Sequence, residues 1–212
     1  MAELFVELKY GNCAAETEVV GQKNGIYDHM IERWKSSPFP QNDSVEALSE
    51  LQELSKAVMD VNSTTLTECL KIDQDLSGYI FERLEGKVKR SVVKNLVAVL
   101  GPSVIKLKKF YQRPRPFQLA YHLNVPLFPF STQSAHSPSY PSGHTAQTRY
   151  ACNMLATMYP HLKDTLEQIQ ESVANSRIQL GVHYPSDNEL AFDFADDCYD
   201  DEATEKVLAN IS

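Results

Sequence analysis

The 212-residue chain is long enough to bury one sizeable hydrophobic core, and its 42% hydrophobic and 23% charged content suits a globular protein. A formal net charge of -8 argues against a nucleic acid polymer or an anionic membrane as partner. The charge is unevenly spread: nine basic residues fall between Lys87 and Arg115 and nine acidic ones between Asp187 and Glu205, so the middle can attract an anion that the whole repels.

Taken in chain order, the start MAELFVELKYGNCAAETEVVG lacks the basic opening and apolar run of a signal peptide. Nowhere do about 18 apolar residues follow one another, as a membrane span needs. The nearest candidate, Val92 to Ile105, is broken by Lys94, Asn95, Gly101 and Pro102. Cys13, Cys69, Cys152 and Cys198 are far apart and form no CxxC pair, which points to free thiols and a cytoplasmic location. One helical domain is expected over 1–212, with residues 1–42 as an N-terminal arm.

Residues 3–10 alternate weakly, as a short strand or an extended arm would, and Asn24 to Trp34 reads as a short helix stopped by the prolines at 38 and 40. Asp43 with Glu46 suggests a capping box ahead of a stripe formed by Val45, Leu48, Leu51, Leu54 and Val58. A second helix is predicted from Thr65 through Ile80 and Leu84 towards Gly86, and a third from Val88 to Leu100. Gly101-Pro102 interrupts that third helix before a continuation towards Phe110. Arg113-Pro114-Arg115-Pro116 is read as the stop, because a proline pushes its predecessor out of the α region. Residues 117–140 then form a long loop, whose aromatics and His136 are expected at the mouth of a pocket. Helices resume at Gly143–Met158 and His161–Leu180, and a last, acidic one begins near Ser186. No run of alternating strands appears, so the fold class is all-α.

Three stretches carry chemistry. Pro141-Ser142-Gly143-His144 sits where the long loop turns into a helix, whose unpaired N–H groups and partial positive charge suit phosphate. Ser142 offers a hydroxyl, Gly143 lets an anion approach the backbone, and His144 places an acid/base in the first turn. In the basic stretch, Lys108 and Arg115 are seven residues apart and can point one way, but Lys106 and Arg113 share that spacing and compete. In SRIQLGVHYPSD, Arg177 lies near a helix end, Gly181 looks like its stop, and His183 precedes Asp187 by four residues. A carboxylate there can hold one imidazole nitrogen and leave the other as a nucleophile.

Together, K-x6-RP at Lys108–Pro116, PSGH at Pro141–His144 and SR-x5-H-x3-D at Ser176–Asp187 occur once each, in order. This resembles the tripartite signature of the type 2 phosphatidic acid phosphatase superfamily. That superfamily includes bacterial class A acid phosphatases, integral-membrane lipid phosphatases and vanadium haloperoxidases. The resemblance covers about residues 90–190. It implies a helical bundle of the acid phosphatase/vanadium haloperoxidase type, and it favours Arg115 with Lys108 over the competing pair. By the same resemblance Lys108, Arg115 and Arg177 would hold the phosphate oxygens, with Ser142 and the Gly143 N–H completing the cradle. His183 would attack phosphorus, Asp187 would orient it, and His144 would protonate the leaving oxygen.

Such chemistry implies no metal ion and no cofactor. It requires a neutral His183 and a protonated His144, hence mildly acidic pH. Lipid phosphatases place an apolar helix after the last aspartate. Here NELAFDFADDCYDDE follows Asp187, so a small soluble phosphate ester (nucleotide, sugar or aryl phosphate) is the expected partner, with no membrane. A homodimer is compatible with the family. The rival readings are a haloperoxidase with vanadate in the same anion site, and a phosphate-binding or assembly protein without turnover. The acidic segment Asp193 to Glu202 lacks EF-hand spacing and reads as a solvated helix face.

Overall fold

A computed structural model describes residues 8–11 and 24–211. Among these, every regular element is a helix, as expected. A 3-10 turn at Asp28–Met30 runs into α1 (Ile31–Trp34). Then come α2 (Val45–Met59), α3 (Ser63–Gln74), α4 (Leu76–Arg83), α5 (Arg90–Val99), α6 (Gly101–Tyr111) and α7 (Pro116–Leu123). The chain continues with α8 (Gly143–Met158), α9 (Lys163–Gln179), α10 (Pro185–Asp200) and α11 (Ala203–Ile211). No described helix is long and apolar enough to cross a membrane.

Helix α8 is the hub, packed against α5, α6, α9 and α10. It buries Thr145, Ala146, Thr148, Ala151 and Cys152 as well as Tyr150, Met154 and Leu155, so it is covered on several faces. Small side chains there let neighbouring helices approach closely, and Ala191, Ala195 and Cys198 repeat the device on α10. The large core residues Leu96, Leu155, Ile169 and Phe194 lose all their exposure. Burial of such a side chain contributes about 1.5–3 kcal/mol.

Several predicted boundaries move for identifiable reasons. Ser44, not Asp43, caps α2 by accepting from the Ala47 N–H at 3.1 Å. Val45 therefore falls in the first turn, 79% exposed, and the buried stripe is Ala47, Leu51, Leu54 and Val58. The single helix predicted from 65 towards 86 is two: Asp75 leaves helical geometry and its carboxylate caps α4 through the Gly78 N–H at 2.8 Å. The predicted stop RPRP is also a start. Arg115 is the N-cap of α7, Pro116 takes N1, and Gln118 reaches back to the Arg115 N–H at 2.8 Å. The long loop is thus confined to 124–142, and the acidic end divides into α10 and α11.

Residues 3–7 of the expected strand or arm lie outside the described residues. Residues 8–10 run along the protein, with the Asn42 amide donating to the Leu8 carbonyl at 3.0 Å and Tyr10 N–H to Gln112 O at 2.9 Å. The described remainder of the arm packs on the core through Tyr27, Met30 and Ile31. The Tyr27 hydroxyl meets Tyr150 at 2.6 Å and Thr204 at 2.7 Å, joining both ends of the chain to the hub. The acidic segment is less solvated than predicted: Asp197 accepts from Trp34 Nε1 at 2.9 Å, and Asp196 from Arg149 Nε at 2.7 Å.

Candidate active site

The three motifs meet at one cavity of about 230 Å³, enclosed by the N-terminus of α8, the inner face of α6 and the 134–137 loop. Lys108, Arg115, Gly143, His144 and His183 line it, together with Gly101, Val104, Ile105, Gln147, Ser134 and Ser137. His136 and the loop aromatics are not among its walls; the serines on either side of His136 are.

His183 is placed by the start of α10. Tyr184 is the N-cap and Pro185 occupies N1. Asp187 at N3 accepts the Tyr184 N–H at 3.0 Å and, with the same Oδ2, meets His183 Nδ1 at 2.9 Å. The other ring nitrogen, Nε2, faces Arg115 NH1 at 2.9 Å. Guanidinium only donates, so Nε2 carries a lone pair and Nδ1 carries the proton given to Asp187. This is the tautomer a nucleophilic Nε2 requires. Burial, reinforced by Arg115, holds His183 well below the ordinary imidazole range despite Asp187.

Asp187 is fully buried yet ionised. Burial raises its carboxyl, but Arg113, His183 and the Ser139 hydroxyl together outweigh that and hold it far below the usual carboxylate range. Arg113 NH1 reaches Oδ1 at 2.6 Å, and the Ser139 hydroxyl donates to Oδ2. The contest between the two basic pairs is therefore decided by geometry. Arg113 turns to Asp187 and Lys106 to Asp28, while Lys108 and Arg115 line the cavity.

Lys108 Nζ donates to the carbonyls of Pro138 at 2.7 Å and Ser139 at 3.0 Å. Arg115 donates to Ser137 O at 2.8 Å and Val182 O at 2.7 Å. Arg177 is fully buried behind the wall, with NH2 bound to Asp73 at 2.9 Å and Ser134 at 3.1 Å. Its Nε and NH1 have no partner among the described residues. Two unpaired guanidinium nitrogens inside a protein are costly, and an anion among Lys108, Arg115 and Arg177 would satisfy them.

Gly143 fits the same purpose. A Cβ there would point towards Val104 at 3.7 Å and Lys108 Cε at 3.8 Å, so a side chain would grow into the cavity wall. Ser142 departs from expectation. Thr145 gives its hydroxyl proton to Asn188 Oδ1 at 2.6 Å, so the Ser142 proton goes to Thr145 at 2.8 Å and away from the cavity.

His144 departs as well. Burial, with Arg177, Lys108 and Arg115 nearby and Asp73 only partly offsetting them, lowers it to about 3. The protonated form expected at mildly acidic pH is therefore opposed by the site's own cations. Asp73, Ser134, Ser139, Arg113 and Glu50 were not assigned to the site from sequence. The first three sit in stretches without a local motif, and Arg113 figured only as a rival of Arg115.

Residues 91–195 match the family model described as PAP2 superfamily. A non-specific acid phosphatase of Salmonella typhimurium is 32% identical over 98 residues, which is 46% of this chain and 39% of that protein. The match thus spans about two-fifths of the length of that curated relative. Among solved structures, the first transmembrane PAP2 type phosphatidylglycerolphosphate phosphatase from Bacillus subtilis aligns with 85% of this chain and 90% of its own. Its identity is 16% and its TM-score 0.49. With its three motifs gathered at one cavity and the superfamily model matching the segment that holds them, the chain belongs to the PAP2 superfamily.

Proposed function

We propose that the protein is a metal-independent phosphomonoesterase that acts on a small soluble phosphate ester through a phosphohistidine. The observation that carries this reading is the pairing of His183, neutral and held by Asp187, with a cationic cradle in which Arg177 has two nitrogens unpaired. Phosphoryl transfer spreads charge over the equatorial oxygens, and fixed cations stabilise that charge without reorganising. Lys108, Arg115 and Arg177 supply them, with the Gly143 N–H.

In the first step a phosphoryl oxygen takes over the Arg115 N–H that faces His183 Nε2, and the exposed lone pair attacks phosphorus. The P–O bond to the alcohol breaks, and the alcohol leaves with the proton carried on His144. In the second step His144 removes a proton from water as its oxygen attacks phosphorus, and the P–N bond returns its electrons to Nε2. Because His144 is held near 3, its proton must arrive with the substrate, bound as the monoanionic ester, whose charge then favours a protonated His144.

The cavity of about 230 Å³ is smaller than the roughly 300–1,000 Å³ sites of drug-sized ligands. Among the described residues no phenylalanine, tyrosine, tryptophan or acidic side chain lines it, while Ser134, Ser137 and Gln147 do. These features favour a short hydroxylated leaving group, such as a polyol or sugar phosphate, over a nucleotide. The described cysteines Cys69, Cys152 and Cys198 are free and buried, which suits the cytoplasm.

Phosphate release from a generic aryl phosphate and from a panel of soluble esters tests the reading. His183→Ala should abolish release, chelator should leave it intact, and orthovanadate should inhibit as a five-coordinate analogue of the transition state. Turnover that survives His183→Ala would sink the mechanism. Peroxide-dependent halide oxidation after vanadate loading, without ester turnover, would replace it with the haloperoxidase.

A further inference from the structure

The Arg113 guanidinium is 2% exposed and does not line the cavity, and unlike Arg177 it has both terminal nitrogens bonded to protein groups. NH1 and NH2 are directed to one purpose. NH1 bonds Asp187 Oδ1 at 2.6 Å and Ser186 Oγ at 2.8 Å, and NH2 bonds Glu50 Oε2 at 2.9 Å. Glu50 completes the loop, its Oε1 accepting the Ser186 N–H at 2.7 Å in the first turn of α10. The flat guanidinium lies 3.8 Å from the centroid of the Tyr184 ring, with Phe39 at 5.0 Å and Tyr140 at 5.6 Å. An arginine held by an aromatic cage and two carboxylates has one permitted position.

We propose that Arg113, anchored by Glu50, is a positioning residue that aims the Asp187 carboxylate at His183. A helix outside the matched segment, α2, thereby helps to set the nucleophile. The proposal rests on the reading of His183 as the nucleophile.

The division of labour at Asp187 supports it. Oδ2 serves His183, the Tyr184 N–H and the Ser139 hydroxyl, whereas Oδ1 accepts from Arg113. Without Arg113 that oxygen faces a buried, largely aromatic surround, and the carboxylate gains a reason to rotate or to take a proton. The charged and titratable groups facing Asp187 are Arg113 and Arg115 from the 113–115 stretch, Tyr140 from the loop before α8, His183 and Tyr184 from its own helix start, and Glu50 through Arg113. Burial raises the carboxyl, and among the groups that oppose it Arg113 is the foremost. An Asp187 that rotates or protonates no longer fixes the Nδ1–H tautomer, and the Nε2 lone pair is then misaimed.

The test compares wild type with Arg113→Gln, Arg113→Lys and Glu50→Gln, each checked for folding by circular dichroism. A misaimed nucleophile costs up to about 100-fold, so Arg113→Gln should lower kcat about 10- to 100-fold while KM moves less than about threefold. Its kcat should fall at a higher pH on the acid side, because Asp187 protonates sooner. Arg113→Lys restores the charge but not the fork, so it should recover the pH profile and only part of kcat. Glu50→Gln should lower kcat about three- to tenfold by loosening the anchor. A folded Arg113→Gln enzyme with kcat within twofold of wild type and an unchanged pH profile would overturn the proposal. Should that variant not fold, an unchanged kcat in Glu50→Gln would overturn it instead. A readout independent of turnover is nitrogen-15 NMR of labelled histidine, with His183 assigned by His183→Ala. Loss of the pure Nδ1–H signature in the Arg113 and Glu50 variants supports positioning, and an unaltered signature refutes it. If the wild type hydrolyses no ester, the phosphatase reading fails, and the NMR comparison alone decides the role of Arg113.

Discussion

Asp73 and Arg177 form a buried ion pair at 2.9 Å, with each side chain only 1% exposed. Replacing Asp73 by Asn keeps the shape and one acceptor but leaves the Arg177 charge uncompensated. Breaking a buried pair at one partner typically costs about 3–5 kcal/mol. The retained amide oxygen can still accept from the Gln133 N–H, now at 2.6 Å, or from the Ser134 hydroxyl, so the lower end of the range applies: about 3 kcal/mol. For a chain of this size that is a fall in Tm of about 6–12 °C. Asp73→Ala loses those bonds too and should cost about 4–5 kcal/mol. The assay is urea unfolding at pH 7 in phosphate-free buffer, repeated with inorganic phosphate. An anion replaces the missing negative charge, so phosphate should restore more stability to Asp73→Asn than it adds to wild type. Saturation at 100 times Kd is worth about 2.7 kcal/mol in the simplest case. A loss below about 1 kcal/mol, the worth of a surface pair, or an equal response to phosphate, would refute the picture of Arg177 as a buried cation awaiting an anion.

Four further outcomes follow from the same geometry. Because the leaving-group proton must enter with the substrate, kcat/KM should decline above about pH 6, the second ionisation of a phosphate ester, and a profile flat to pH 8 would contradict this. Stability should run the other way. His144 and His183 are held below the usual imidazole value, so the unfolded chain takes up protons first and stability falls from about pH 6.5 downward. The fall is at most about 1.4 kcal/mol per unit for each histidine, and acid titration followed by circular dichroism measures it. Gly181, at φ +72°, closes α9, and a Cβ there would come within 2.9 Å of Val58 Cγ2 and 3.2 Å of Pro129 Cα. Gly181→Ala should therefore destabilise by about 2–4 kcal/mol in urea unfolding. Ser142→Ala should lower kcat/KM less than about tenfold, because its proton already goes to Thr145, whereas Arg115→Ala, which removes a cradle donor, should lose at least about 100-fold.

The all-helical class, the hub helix from Gly143 to Met158 and the three motif stretches were legible in the chain itself. Each rests on a local cause: apolar residues three and four apart, a proline or glycine at a fixed position, or a histidine and carboxylate one helical turn apart. The start of α7 is legible too, in Pro116 followed by Gln118: a proline disfavours helix for the residue before it, so RPRP ends one helix and is compatible with another that begins at Pro116. The break at Asp75 was harder to see, since the apolar pattern continues across it and the capping carboxylate is the only local sign.

Tertiary structure decided what local pattern could not. Lys106 with Arg113 and Lys108 with Arg115 have the same spacing, and only packing turns the first pair to Asp28 and Asp187 and the second to the cavity. Likewise Glu50, Asp73 and Ser139 lie 48 to 136 residues away from the groups they hold, and no spacing rule reaches that far. The ionisation of His144 belongs to the same class: an imidazole in isolation titrates near neutrality, and it is burial, joined by the convergence of three cations from separate segments, that opposes its charge. The sequence by itself determined which residues could do phosphate chemistry. The fold decided which of them line the cavity and which stand behind, because charge and desolvation act through space.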